Sequence, residues 1–256
     1  MMRKITPFKA AADFEKDLTD FANKHRITLA EHSKRISDYF EMTCYNLIIR
    51  YYEKLDYVLE VRNLQRGKFR FKCSPMGLLN NFSYFKASKK DEEGNEIAFY
   101  IYHNATAQSA IDDNVLTTPD IVVSKTETPT ITTDYYATRM KMSFIPKDSL
   151  VTFCEAKNLS PFPELMVNFV GTVHELKPEC VCDDTEHWDS EHIAPSLMMS
   201  GTFSKPTRRI QNSLEKRYYV NFFDNLFDDT SVRSSFSRKR LDTIATLGKK
   251  SGNQPE

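Results

Sequence analysis

An α/β fold, with a mixed central sheet flanked by helices and an additional antiparallel β insertion, is the class this 256-residue sequence predicts. Three observations carry it. Residues 10–55 repeat their apolar positions at helical spacing, several segments between 57 and 203 alternate or run apolar over strand lengths, and 161–176 returns to a helical period between two such strands.

In 10–55, Ile36, Phe40, Leu47, Ile48, Tyr51 and Leu55 fall near one helix face at spacings of three, four and seven, and a turn near His25 to Thr28 splits the segment into two helices. YVLEVRNL (57–64) alternates as a strand does, KFRFKC (68–73) follows, and NFSYFKAS (81–88) and EIAFYIYHN (96–104) flank the turn sequence DEEGN as a hairpin. These make up the antiparallel insertion. TPDIVVS (118–124) and SLVTFCEAK (149–157) are short apolar runs fit for buried strands, with a further hairpin expected around SFIPKDSL (143–150). PFPELMVNFVGTVHEL (161–176) opens on prolines, which suit a helix start because the N–H they lack has no partner in the first turn. PSLMMSGTF (195–203) reads as a strand and PTRRIQNSLEKRYYVNFFDNLF (206–227) as a helix. Residues 1–227 are expected to form one domain and 228–256 a flexible basic tail.

Hydrophobic residues at 40% and charged residues at 27% are ordinary globular usage, which excludes a largely disordered chain. The 35 basic and 35 acidic residues cancel, so any nucleic-acid contact must come from local patches. Charge is segregated: 179–191 carries six carboxylates and no Lys or Arg, whereas 205–256 carries eleven basic residues against six acidic ones. The opening MMRKITPFKAAADFEKD has no apolar signal-peptide core, and no run reaches the roughly 18 apolar residues of a membrane span. Five cysteines without a disulfide-framework spacing suit a reducing compartment. A cytoplasmic protein with no membrane partner is the expectation.

Glu155 and Lys157 stand one residue apart inside SLVTFCEAK. In a strand they share a face with Phe153, while Cys154 and Ala156 take the other, so a charged pair is aimed one way from a segment fit for a core. Asp120, after Pro119 at the head of TPDIVVS, adds a third polar side chain if the two strands are neighbours. Adjacent carboxylates repel unless a cation lies between them, and Mg²⁺ takes such oxygen ligands while keeping several waters. A lysine beside it supplies positive charge to water or a scissile phosphate, a setting suited to metal-assisted phosphodiester hydrolysis. The plain alternative is an ion pair on an edge strand, worth about 0–1 kcal/mol.

Pro119, Asp120, Glu155 and Lys157 together resemble the signature of the PD-(D/E)xK nuclease superfamily, which includes restriction endonucleases, Holliday-junction resolvases and phage-defence effectors. The resemblance implies a restriction-endonuclease-like core (a helix, three strands, a helix and a further strand) over about 33–223. It implies catalytic roles for Asp120, Glu155 and Lys157, and for Glu41 as the acidic residue of the first helix, with Glu31 and Glu53 as weaker candidates. Asp120, Glu155, Glu41 and the backbone carbonyl of Ala156 are then the ligands of Mg²⁺, with Mn²⁺ as a substitute. The gap from Asp120 to Glu155 is long for the family, which keeps Asp134 as a competing aspartate. The implied function is a metal-dependent endonuclease cutting duplex DNA, as the effector of a bacterial restriction or antiviral phage-defence system, acting as a homodimer or with partner proteins of that system. The alternative is an inactive nuclease-fold protein that binds nucleic acid or protein as a scaffold.

Lys205, Arg208 and Arg209 gather where a strand meets a helix N-terminus, a place suited to phosphate oxygens, with Lys216 and Arg217 further along. A solvated helix face explains them equally well. Cys180, Cys182, His187 and His192 are zinc-capable, but Cys-x-Cys departs from knuckle spacing, and a mobile acidic surface loop is the preferred reading. Cys154 with His174 is a weaker catalytic pairing, since a strand cysteine facing away from Glu155 is ordinary core packing.

Overall fold

A computed structural model of the chain describes residues 11–29, 35–75, 77–132, 141–181 and 192–227. Glu31, Asp134, Cys182, His187 and the tail 228–256 lie outside the described residues. The elements are α1 (Ala11–Lys24), β1 (Thr28–Leu29), α2 (Ile36–Lys54), β2 (Val58–Arg62), β3 (Lys68–Phe69), β4 (Tyr84–Lys90), β5 (Glu96–His103), β6 (Thr106–Gln108), β7 (Leu116–Thr117), β8 (Ile121–Ser124), β9 (Thr130–Thr132), β10 (Met142–Ile145), β11 (Leu150–Lys157), α3 (Pro163–Leu176), β12 (Ser196–Met199), α4 (Lys205–Arg217) and β13 (Asn221–Phe223).

Seven strands make one mixed sheet in the order β13-β12-β11-β8-β5-β4-β2. From β2 to β11 every neighbouring pair is antiparallel, and β11, β12 and β13 run parallel. Helices cover both faces, so the chain is α/β as expected. Under α1 and α2 lies one core, with Phe14, Phe21, Phe40, Tyr45, Phe85 and Ile101, to which β8 contributes Ile121 and Val123. On the opposite face Val122, Phe153, Leu197 and Phe222 meet Met166, Phe169 and Val173 of α3 and Leu214 of α4. Alternation along each strand sends successive apolar residues to the two cores, which is why β8 and β12 read as continuous apolar runs. TPDIVVS and SLVTFCEAK are therefore neighbours in one sheet, with Cys154 opposite Ile121.

Three local readings need correction. β2, β4 and β5 are the antiparallel edge of the main sheet, not a separate insertion, and of KFRFKC only Lys68–Phe69 pairs, parallel to β1; the larger separate sheet is four-stranded, β7-β6-β10-β9, and its central β6–β10 pair is parallel. The DEEGN turn does join β4 to β5, with Gly94 at φ 87° and the Asp91 carboxylate accepting from the N–H groups of Glu93 and Asn95. No hairpin forms around SFIPKDSL: β10 belongs to the small sheet and β11 to the large one, so Pro146–Ser149 is a corner between sheets. The helix expected over 206–227 stops at Arg217, and NFF (221–223) forms β13, parallel to β12. An aromatic run buried on both faces has no alternation to distinguish a central strand from a buried helix turn. Among the described residues no helix is long and apolar enough to cross a membrane.

Candidate active site

Pairing between β8 and β11 ends at Ile121 and Cys154. Continuing that register would set Pro119 against Ala156, and proline has no N–H to give the ladder. The side chain of Asp120 takes over: its Oδ2 accepts from the Ala156 N–H at 2.7 Å and from Lys157 Nζ at 2.9 Å. Lys157 Nζ also donates to Glu155 Oε2 at 2.6 Å, so a single ammonium sits on both carboxylates. The carbonyl of Lys157 accepts from Ser200 beyond β12, and strand groups alternate in direction, so the Ala156 carbonyl points to the Asp120 side, where Pro119 leaves it no ladder donor. Along this face the strand climbs out of the core: Phe153 is fully buried against Phe169, the Glu155 side chain is 17% exposed and that of Lys157 33%.

Glu41 enters from the other layer, half-buried on α2, and accepts from the Asn104 amide at 3.3 Å. Glu53, twelve residues along the same helix, is about 18 Å away along the axis and pairs with Lys24 instead. Glu41 is pushed up to about 7 by burial first and the Asp120 carboxylate second, against the pull of Asn104 and Lys157. Glu155 is also raised, by burial and then Asp120, by more than Lys157 lowers it. Burial pulls Lys157 down, but Glu155 and Asp120 outweigh it and hold the ammonium above the ordinary lysine range. One ammonium serves three carboxylates, so pairing keeps the lysine charged without relieving the carboxylates of one another.

That charge imbalance is a donor set fit for a hard divalent cation: oxygen atoms only, more negative than Lys157 can neutralise, with the Ala156 carbonyl on the same side. The seat between Asp120 and Glu155 is filled by the ammonium, and among the described residues no three His, Cys, Asp or Glu side chains converge closely enough to hold a metal as they stand. A cation would displace the lysine from that seat.

The imbalance has a measurable consequence. The folded-state values of Glu41 and Glu155 lie above the ordinary 4.5, so the native protein retains protons that the unfolded chain has released. Their stabilising contribution is full below about 4.5 and is lost as pH rises through about 7. In EDTA, the melting temperature is expected to fall between pH 5 and pH 8 by more in the wild type than in Glu41→Gln. Equal falls would refute the assignment.

The remaining candidates are dispersed. Arg208 is turned inward: it pairs with Asp224 at 2.8 Å, donates to Gln211 and stacks over Phe203, while Lys205 and Arg209 are exposed on the first turns of α4. Arg217 lies on Tyr218 at the far end of α4, where Lys216 is also exposed. Cys154 is buried in the α2-side core, its thiol pushed up by burial, and His174 is exposed on α3, so the two do not meet. Cys180 lies in the α3-side core, whereas His192 bonds to Tyr52 at 2.8 Å and meets Phe99 edge to face on the other side of the sheet. Asn104 and Lys72 were not anticipated. Compared with known proteins, the chain matches no protein-family model, no curated protein and no solved structure.

Proposed function

We propose that this chain is a metal-dependent nuclease of the PD-(D/E)xK type, hydrolysing phosphodiester bonds in duplex DNA. The observation that carries the reading is the meeting of Asp120, Glu155 and Lys157, from two strands, at the point where β8 stops pairing. The chain order gives further support: α2, β5, β8, β11, α3 and β12 occur in the sequence helix, three strands, helix and strand, with β2–β4, β6, β7, β9 and β10 interposed, and β5, β8, β11 and β12 are consecutive in the sheet.

Asp120, Glu155 and the Ala156 carbonyl would hold Mg²⁺ or Mn²⁺, with Glu41 as an outer partner. The cation, when bound, supplies Lewis acidity at the phosphate and a lowered pKa for water. Lys157, freed from its two carboxylates, remains within reach to orient a water or steady charge developing on a phosphate oxygen. Glu41, raised to about 7 in the metal-free chain, would give up its proton as the cation binds and face it as a carboxylate. Lys205 and Arg209, exposed at the start of α4, offer phosphate contacts without base selectivity. A homodimer serving two strands, and a place as a cytoplasmic effector in restriction or phage defence, belong to the same reading.

Plasmid DNA incubated with the protein should be nicked or linearised in Mg²⁺ or Mn²⁺, not in EDTA, and Glu155→Gln should lower the rate by about 10³-fold or more. Wild type that cleaves under no divalent cation would leave the second reading, a nuclease-fold scaffold. That reading draws on the ammonium already seated between the carboxylates, which is how a self-satisfied structural cluster would look.

A further inference from the structure

We infer that Asn104 is a positioning residue for both Glu41 and Asp120, locked in place by the buried ammonium of Lys72. The inference rests on the nuclease reading for the cation those carboxylates would hold.

Asn104 follows the last residue of β5 with φ at 50°, the left-handed region that asparagine tolerates better than most residues. This turn lets one residue grip three neighbours. Its N–H donates to the backbone carbonyl of Asp120 at 2.7 Å, its amide reaches Glu41 Oε2 at 3.3 Å, and its carbonyl accepts from Lys72 Nζ at 2.6 Å. The amide nitrogen is the atom facing Glu41, the orientation that serves its ionised, accept-only form. The residue thus couples α2 on one layer to the first residue before β8 in the sheet, the two sources of acidic groups that β11 does not supply.

Lys72 is 1% exposed, and its other two hydrogen bonds go to the carbonyls of Ser74 and Pro75 at 2.7 and 2.8 Å. Three donors meet three acceptors, none a carboxylate. Burying an ammonium without a counterion is costly, and burial pulls this one down to about 8. An apolar residue would fill the space without that cost; the ammonium adds fixed direction to three backbone carbonyls, one of them that of Asn104. His103, its Nδ1 2.9 Å from the Lys72 carbonyl, must donate there, which ties the base of the lysine to β5 as well. The 3.4 Å approach of His103 Nδ1 to the Asn104 amide nitrogen then sets donor against donor and is not a bond.

The test uses Asn104→Gly, which keeps the left-handed turn and removes the amide, and Lys72→Met, which keeps most of the buried volume. Mn²⁺ titrated calorimetrically into the full-length protein should bind 10- to 100-fold more weakly to Asn104→Gly and less weakened, in the same direction, to Lys72→Met. Turnover of Asn104→Gly at saturating Mn²⁺ should return to within a few fold of wild type, with KM for DNA unchanged. Mn²⁺ affinity within twofold of wild type in both variants, or turnover that saturating Mn²⁺ does not restore, overturns the inference. If wild type itself binds no divalent cation, the nuclease reading fails and positioning is decided separately: the ¹³Cδ resonance of Glu41 in metal-free protein, followed from pH 5 to pH 7.5 where Lys72 stays charged, should move in Asn104→Gly, and an unmoved resonance overturns it.

Discussion

Lys157→Met is expected to lower DNA cleavage by about 10²- to 10³-fold, the range seen when one preorganised donor to developing charge is removed, while divalent-cation binding is retained or tightened. The second half of that expectation comes from the geometry. In the metal-free chain Lys157 Nζ occupies the space between Asp120 and Glu155, so it competes with any cation for the same oxygens. Methionine fills similar volume without competing. It also leaves Asp120, Glu155 and Glu41 with no compensating charge, so metal-free Lys157→Met should melt below wild type and gain more from added Mg²⁺. Calorimetry, thermal shift with and without Mg²⁺, and turnover separate the roles. Loss of cation binding together with loss of cleavage would make Lys157 part of the cation's own seat and sink the division of labour.

Much of this centre was legible in the sequence because it depends on strand periodicity. Glu155 and Lys157 share a face by alternation alone, and Pro119 marks the end of a ladder because it has no N–H, which is what turns Asp120 from a strand residue into a cap on Ala156. Glu41 was legible only through the family resemblance; nothing in its helix distinguishes it from Glu53 until β5 brings Asn104 beside it. Asn104 and Lys72 left no signal. One is the residue after a strand and the other sits in KFRFKC, where basic residues alternate with apolar ones as on a solvated strand face, yet only Lys68 and Phe69 pair as a strand and Lys72 turns inward. Such a role depends on a left-handed backbone and on carbonyls from three separate residues, which no local pattern encodes. Arg208 shows the same limit in reverse: a basic cluster reads as a phosphate site until Asp224, sixteen residues later and across a strand that sequence periodicity took for helix, is placed beneath it.

Asp120→Asn is expected to have the larger effect on turnover, about 10³-fold or more, and the opposite effect on stability. An asparagine oxygen at the position of Oδ2 can still accept from the Ala156 N–H and from Lys157, so the end of the β8–β11 ladder survives. What disappears is the negative charge. Asp120 is, after burial, the largest influence raising both Glu41 and Glu155, so both should fall toward the ordinary carboxylate range. With repulsion relieved, metal-free Asp120→Asn should melt at or above wild type at pH 8, and the fall in melting temperature from pH 5 to pH 8 should shrink. DNA binding without metal should be unchanged or tighter, since a charge near the phosphate is gone. A residue retained only for the fold would behave otherwise, losing stability and activity together. If Asp120→Asn melts several degrees below wild type at pH 8, or still cleaves plasmid in Mg²⁺ at a rate within tenfold of wild type, Asp120 is not a functional carboxylate, and the cluster around Lys157 is an ion-paired cap on the end of the sheet.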